Sequence, residues 1–167
     1  MRKIIVLMVI LCAVTLTFPA KTLIMSMGSA KVGYNVGNVD SINFMSTDTF
    51  FNNGNIGGVS GVNTPPTDST RFTTTAAKYV TYMSTYHYYN GGHLPGTISL
   101  RHSDGTIYGP FQTTGVLGQG GVANATWVCN PNVVIKAGAY VIIDSDPSTW
   151  SHNTQSLNRG FALVLGK

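Results

Sequence analysis

Downstream of Arg71 the chain offers no run of apolar residues at helical spacing, and turn-forming residues return about every eight to twelve positions, the rhythm of short antiparallel strands. Lys78 to Tyr89 sets Thr, Ser and Lys among Tyr, Val and Met, a composition suited to a pleated surface, and Asn90-Gly91-Gly92 ends it. Thr97 to His102 alternates strictly, Ser103-Asp104-Gly105 supplies turn chemistry and Thr106-Ile107-Tyr108 returns, which specifies a hairpin with Gly105 at positive φ. Phe111 to Val116, Ala125 to Cys129, Val133 to Ile135, Ala139 to Asp144 and Phe161 to Leu165 read as further strands. The expected fold is therefore all-β, an antiparallel β-sandwich or jelly-roll-like domain of seven or eight short strands.

Composition supports this. The chain holds no glutamate, its six acids are all aspartates, and only 10% of its 167 residues are charged. A strong helix former and the usual carboxylic acid of many hydrolases are both missing.

The N-terminus reads as an export signal. Met1-Arg2-Lys3 is basic and Ile4 to Phe18 is apolar apart from threonines, too short for a membrane span of about 20 residues. Residues 1–20 are assigned to this signal, with cleavage as late as residue 30, where Gly28-Ser29-Ala30 satisfies the small-x-small rule. The formal net charge of +4 then falls to +2, because losing Arg2 and Lys3 leaves eight basic residues against six acidic ones. The remaining cations are scattered singly, which argues against nucleic acid as a partner, and no stable membrane span is expected after cleavage. Residues 31–70 read as early strands, around Val32 to Val36 and Ser41 to Met45, followed by a Gly/Asn/Pro-rich loop; residues 71–167 read as the core domain.

The segments Pro95-Gly96-Thr97-Ile98-Ser99-Leu100-Arg101, Gly118-Gln119-Gly120-Gly121-Val122 and Asp144-Ser145-Asp146-Pro147-x-Thr149-Trp150-Ser151-x-Asn153 together resemble a widespread secreted bacterial and archaeal β-sandwich module of unassigned function, over about residues 77–165. The resemblance implies a β-sandwich outside the cell and carries over no catalytic residue.

Two constellations invite a functional reading. Tyr86, His87 and Tyr88, with Trp150 further on, offer rings that can stack on sugar faces and a histidine that can hydrogen-bond hydroxyls, so carbohydrate is the expected ligand class. Alternation puts Tyr86 and Tyr88 on one face of the strand and His87 and Tyr89 on the other, so one set belongs to the core. Asp144, Asp146 and Asn153 can present hard oxygens to calcium, against the competing reading that the aspartates cap a turn and Trp150 plugs the edge of the domain. Asn124-Ala125-Thr126 is an N-glycosylation acceptor pattern on Asn124. The four histidines match no zinc spacing, no Gly-x-Ser-x-Gly elbow positions a nucleophile, and Cys129 sits in an apolar run as a small hydrophobe.

The expected protein is a secreted or cell-surface, non-enzymatic binding or adhesion module that needs no cofactor, calcium aside, and whose partner is an extracellular glycan or surface polymer. The alternative is a structural subunit that assembles with copies of itself into a filament, layer or matrix, with the apolar piece Thr22 to Met27 adding as a strand to a neighbour.

Overall fold

The computed structural model describes residues 22–27, 30–35, 47–54 and 64–167. The signal segment 1–20, the piece Ser41 to Met45 and residues 55–63 of the Gly/Asn-rich loop lie outside the described residues. The chain divides into two compact units, Met1–Phe44 and Met45–Lys167. In the first, β1 (Thr22–Met27) and β2 (Ala30–Asn35) form an antiparallel hairpin in which Thr22 stands opposite Asn35 and Met27 opposite Ala30.

The second unit is all-β. Its strands are β3 (Asp48–Asn52), β4 (Arg71–Thr74), β5 (Lys78–Tyr86), β6 (Thr97–His102), β7 (Ile107–Gln112), β8 (Thr114–Val116), β9 (Thr126–Cys129), β10 (Val133–Ile135), β11 (Gly138–Asp144) and β12 (Ala162–Gly166). A six-stranded sheet runs β3-β12-β5-β9-β8, with β10 also paired to β5, and a four-stranded sheet runs β4-β11-β6-β7. Every strand pair is antiparallel. The helical content of the described residues is one 3₁₀ turn, Gln119–Gly121, and none of their helices is long and apolar enough to cross a membrane.

One hydrophobic core draws on both sheets. Val80, Met83, Cys129, Ile135 and Val164 from the six-stranded sheet meet Phe72, Ile98, Leu100, Tyr140 and Ile142 from the four-stranded one. Full burial of each such side chain contributes about 1.5–3 kcal/mol before conformational entropy is charged against it. A β-bulge sets which residues of β5 join this core. Leu165 pairs with Tyr82 and Gly166 with Val80, so Thr81 is the extra residue, and Val80 and Met83 both point inward although three positions separate them. The expected 97–108 hairpin is present, with His102 N–H donating to Thr106 O at 2.8 Å and Gly105 at φ 92° in the left-handed region.

Three expectations are corrected. The unit from Met45 holds ten strands rather than seven or eight, because Asp48–Asn52 and Arg71–Thr74 are too short to register as periodic runs, and Thr114–Val116 is a strand separate from Ile107–Gln112. The core domain does not begin at residue 71: β3 pairs with β12, and Phe50 and Phe51 pack against the core. The long strand ends at Tyr86 rather than Tyr89, because the chain turns at Tyr88–Tyr89, where Tyr88 N–H donates to Ser151 Oγ instead of to a neighbouring strand; the Asn90 side chain holds the following turn by donating to Ala123 O at 2.7 Å and accepting from Gly92 N–H.

Candidate functional site

The connections β5–β6 (residues 87–96), β8–β9 (117–125) and β11–β12 (145–161) leave from the same end of the two sheets and, together with the strand-end residues Tyr86 and Asp144, hold the residues singled out in the sequence. Backbone contacts fix them to one another. Ser151 N–H donates to Tyr86 O at 2.8 Å, Tyr88 N–H donates to Ser151 Oγ at 2.9 Å, and His87 N–H donates to Ala125 O at 2.6 Å.

Alternation carries through this segment, so His87 turns inward while Tyr86 and Tyr88 stay half-buried. His87 is fully buried and stacks on Trp127, ring centroids 3.8 Å apart. Thr85 Oγ1 donates to Asp144 Oδ2 at 2.7 Å, and His87 Nε2 lies 3.0 Å from that hydroxyl and 3.1 Å from the same carboxylate oxygen. With the Thr85 proton committed to the carboxylate, Nε2 faces two lone-pair oxygens and carries a hydrogen. On its other side His87 Nδ1 is 2.9 Å from Thr149 Oγ1. Thr149 Oγ1 also reaches Asp146 Oδ2 at 3.1 Å, and that oxygen lies 2.6 Å from Nδ1 of the exposed His93. A continuous polar chain thus runs from the fully buried Asp144 through His87, Thr149 and Asp146 to His93 at the surface. Thr149 owns a single hydroxyl proton, which serves either His87 or Asp146 but not both.

This geometry corrects two of the ligand-facing assignments. His87 is inside because Asp144 compensates its burial, and Trp150 is inside because its Nε1–H donates to Phe161 O at 2.8 Å. The three oxygen-bearing residues assigned to calcium have protein donors. Asp144 Oδ1 accepts from Asp146 N–H at 2.8 Å, Asp146 Oδ1 accepts from the Ser148 hydroxyl, and Asn153 Oδ1 accepts from Ser156 N–H at 2.9 Å. These are the contacts of aspartates and asparagines that order turns. No group of three or more His, Cys, Asp or Glu placed to hold a metal occurs among the described residues. Asn124 is half-buried at φ 54°, with its side chain lying over Gly115. Cys129 is a free, buried thiol, and burial pushes it up to about 11, far from a reactive thiolate.

Tyr86 stays accessible on the outward side. With Asn52, Ser84, Gln119, Thr126 and Leu163 it borders a groove of about 300 Å³ on the six-stranded sheet. Its hydroxyl accepts from Gln119 N–H at 3.1 Å, and its ring lies against Gly118, where any Cβ would sit 3.1 Å from the ring and closer still to the Ala125 methyl. Tyr88 follows at a ring distance of 6.3 Å, and Tyr89 packs edge-on to Tyr88 at 4.9 Å. Among the described residues no hydrogen bond engages the Asn52 Nδ2 amide, the Gln119 side chain or the Ser84 and Thr126 hydroxyls. Thr85, Thr149, Asn52 and Gln119 were not functional candidates in the sequence, because only strand register and loop contacts bring them to these positions.

No protein-family model, curated protein or solved structure matches this chain. Function is therefore read from the site's own geometry.

Proposed function

We propose that this protein is an extracellular, non-enzymatic binding or adhesion module whose ligand is a carbohydrate held in the groove beside Tyr86. The observation that carries this reading is a tyrosine ring clamped by Gly118 and the backbone N–H of Gln119, beside the Asn52 Nδ2 amide, the Gln119 side chain and the Ser84 and Thr126 hydroxyls, which no hydrogen bond engages among the described residues; the other end of the Asn52 amide, Oδ1, accepts from Gly54 N–H. Sugar recognition asks for that combination, a flat apolar ring for the C–H face and fixed polar groups for the hydroxyls. A neutral-glycan array probed with the full chain should give hits that Tyr86→Ala weakens by about tenfold or more, the scale of one well-buried aromatic contact, while Tyr86→Phe keeps most of the binding. A blank array, or hits that Tyr86→Ala leaves unchanged, would sink the proposal.

The self-assembly reading draws support from β1 and β2. A two-stranded hairpin is marginal by itself in water, and β1 and β2 pair with no further strand among the described residues, so a second copy is a natural cover. Size-exclusion chromatography and negative-stain microscopy decide it: monomers at all concentrations, or assemblies that persist when residues 22–35 are deleted, count against it.

A further inference from the structure

The outward face of the four-stranded sheet bears a feature unrelated to the Tyr86 groove. The register of β4, β11 and β6 aligns Arg71, Val141 and Arg101 in one row across three strands. In the next row Thr73 stands opposite Ala139, whose carbonyl accepts from Ser103 N–H at 2.9 Å. Phe72 and Tyr140 alternate inward to the core, so this face is held flat from beneath. The middle strand carries the small side chains and the flanking strands carry the arginines and hydroxyls, which makes a trough of about 540 Å³ running along β11. Its two banks bear cations and donors, and its lining includes no acid.

The charges here are available. Arg101 has no carboxylate partner among the described residues, and Arg71, 60% exposed, has only Asp68 at 3.7 Å. Asp68 is itself held more closely by Arg159, Nε to Oδ2 at 3.0 Å. The other nearby acid, Asp104, is tied to Lys136 and the His102 ring at the hairpin turn. Two strand spacings set the arginine Cα atoms about 10 Å apart, too wide for one small anion to meet both guanidinium groups face on. A guanidinium offers a planar fork that matches carboxylate or sulfate oxygens in pairs. Exposed aromatic rings, on which unpaired bases stack, are absent from the lining.

The geometry points to a second binding site, the β11 trough, for an anionic polysaccharide whose carboxylate or sulfate groups are gripped by Arg71 and Arg101 while Thr73 and Ser103 meet its hydroxyls. The chain lies along β11, between the banks. The site works independently of the Tyr86 groove.

The test measures binding of the full chain to polygalacturonate, dextran sulfate, neutral dextran and a single-stranded oligonucleotide across a salt series. Binding to polygalacturonate or dextran sulfate, absent with neutral dextran and weakening steadily with salt, is expected; the stronger of the two identifies the anionic group. Arg101→Gln should weaken it by about tenfold or more, the loss of a charge-assisted contact, and Arg101→Lys should restore only part because the fork is gone. Arg71→Gln should have a smaller effect, since Asp68 already draws on that charge. Tyr86→Ala should leave this binding unchanged, so the two sites stand or fall separately. Both arginines are at the surface, and an unchanged Tm confirms that the variants fold. Absence of binding to either polyanion, equal binding by the Arg71→Gln/Arg101→Gln double variant, or tighter binding to the oligonucleotide would overturn the proposal.

Discussion

Two histidine–aspartate pairs stand side by side at the loop end, assembled from the same two stretches of chain and put to different uses. His87 and Asp144 are completely buried, whereas His93 and Asp146, a few residues further along each stretch, have side chains 56% and 22% exposed. The exposed pair is the shorter, 2.6 Å against 3.1 Å. Distance is a poor guide to what each contributes. Water can solvate His93 and Asp146 when they part, so their contact is worth little, while among the described residues His87 and Asp144 turn for other side-chain partners only to Thr85 and Thr149, with the Asp146 N–H on the far carboxylate oxygen. The buried pair is costly to break, and the exposed pair is free to change.

The contrast can be broken from its strong side first. Asp144→Ala leaves His87 buried without its carboxylate and Thr85 without its acceptor; chemical denaturation should show a loss of about 3–5 kcal/mol. A loss below about 1 kcal/mol would mean the buried pair behaves like a surface one. Thr149→Val removes the hydroxyl that both pairs share. It should cost about 1–3 kcal/mol by leaving the His87 Nδ1 position unsatisfied, and a double-mutant cycle with His93→Ala should be non-additive. His93→Ala alone should cost less than about 1 kcal/mol by the same denaturation measurement.

The smallest effect is one of pH. Burial works against the Asp146 charge, but hydrogen bonds from Ser148, His93 and Thr149 outweigh it and bring the carboxyl down to about 2 from the ordinary 3.8. The folded state therefore holds this proton less tightly than the unfolded chain. Its contribution is complete above about pH 4, shrinks as the pH falls and is gone below about pH 2. Asp146→Asn should flatten that part of the acid-stability curve and leave the curve near neutrality almost unmoved. An unchanged acid limb would show that other carboxylates govern it.

The fold was legible wherever a run was long enough to show its period. Thr97 to His102 and its return announced a hairpin, and the turn at Gly105 formed as expected. The four residues of Arg71–Thr74 do alternate, with Phe72 and Thr74 buried, but four positions cannot be told from chance in a sequence. At the site, alternation separated His87 from Tyr86 and Tyr88 without saying which side was core. Both sets are aromatic and half polar, and the choice depends on the Thr81 bulge and on Asp144, far along the chain. Asp144 and Asp146 could be read either as calcium ligands or as groups that order a turn, because strand-end carboxylates look alike in sequence whether they face an ion, a backbone N–H or a histidine. The arginine row across β4, β11 and β6 was hidden for a related reason, since scattered single cations become neighbours only through register.

The position of β12 bears on how the domain comes into being. It is the last strand of its sheet in chain order, yet it lies between β3 and β5 and makes antiparallel pairs with both. Until Ala162–Gly166 is in place, β3 has no strand partner among the described residues, one side of β5 is bare and Val164 is missing from the core. Assembly is thus strongly non-local, the kind of topology that folds slowly and keeps an open, sticky sheet for as long as it waits. A chain halted before β12 would present that gap to any free strand, whether its own or a neighbour's.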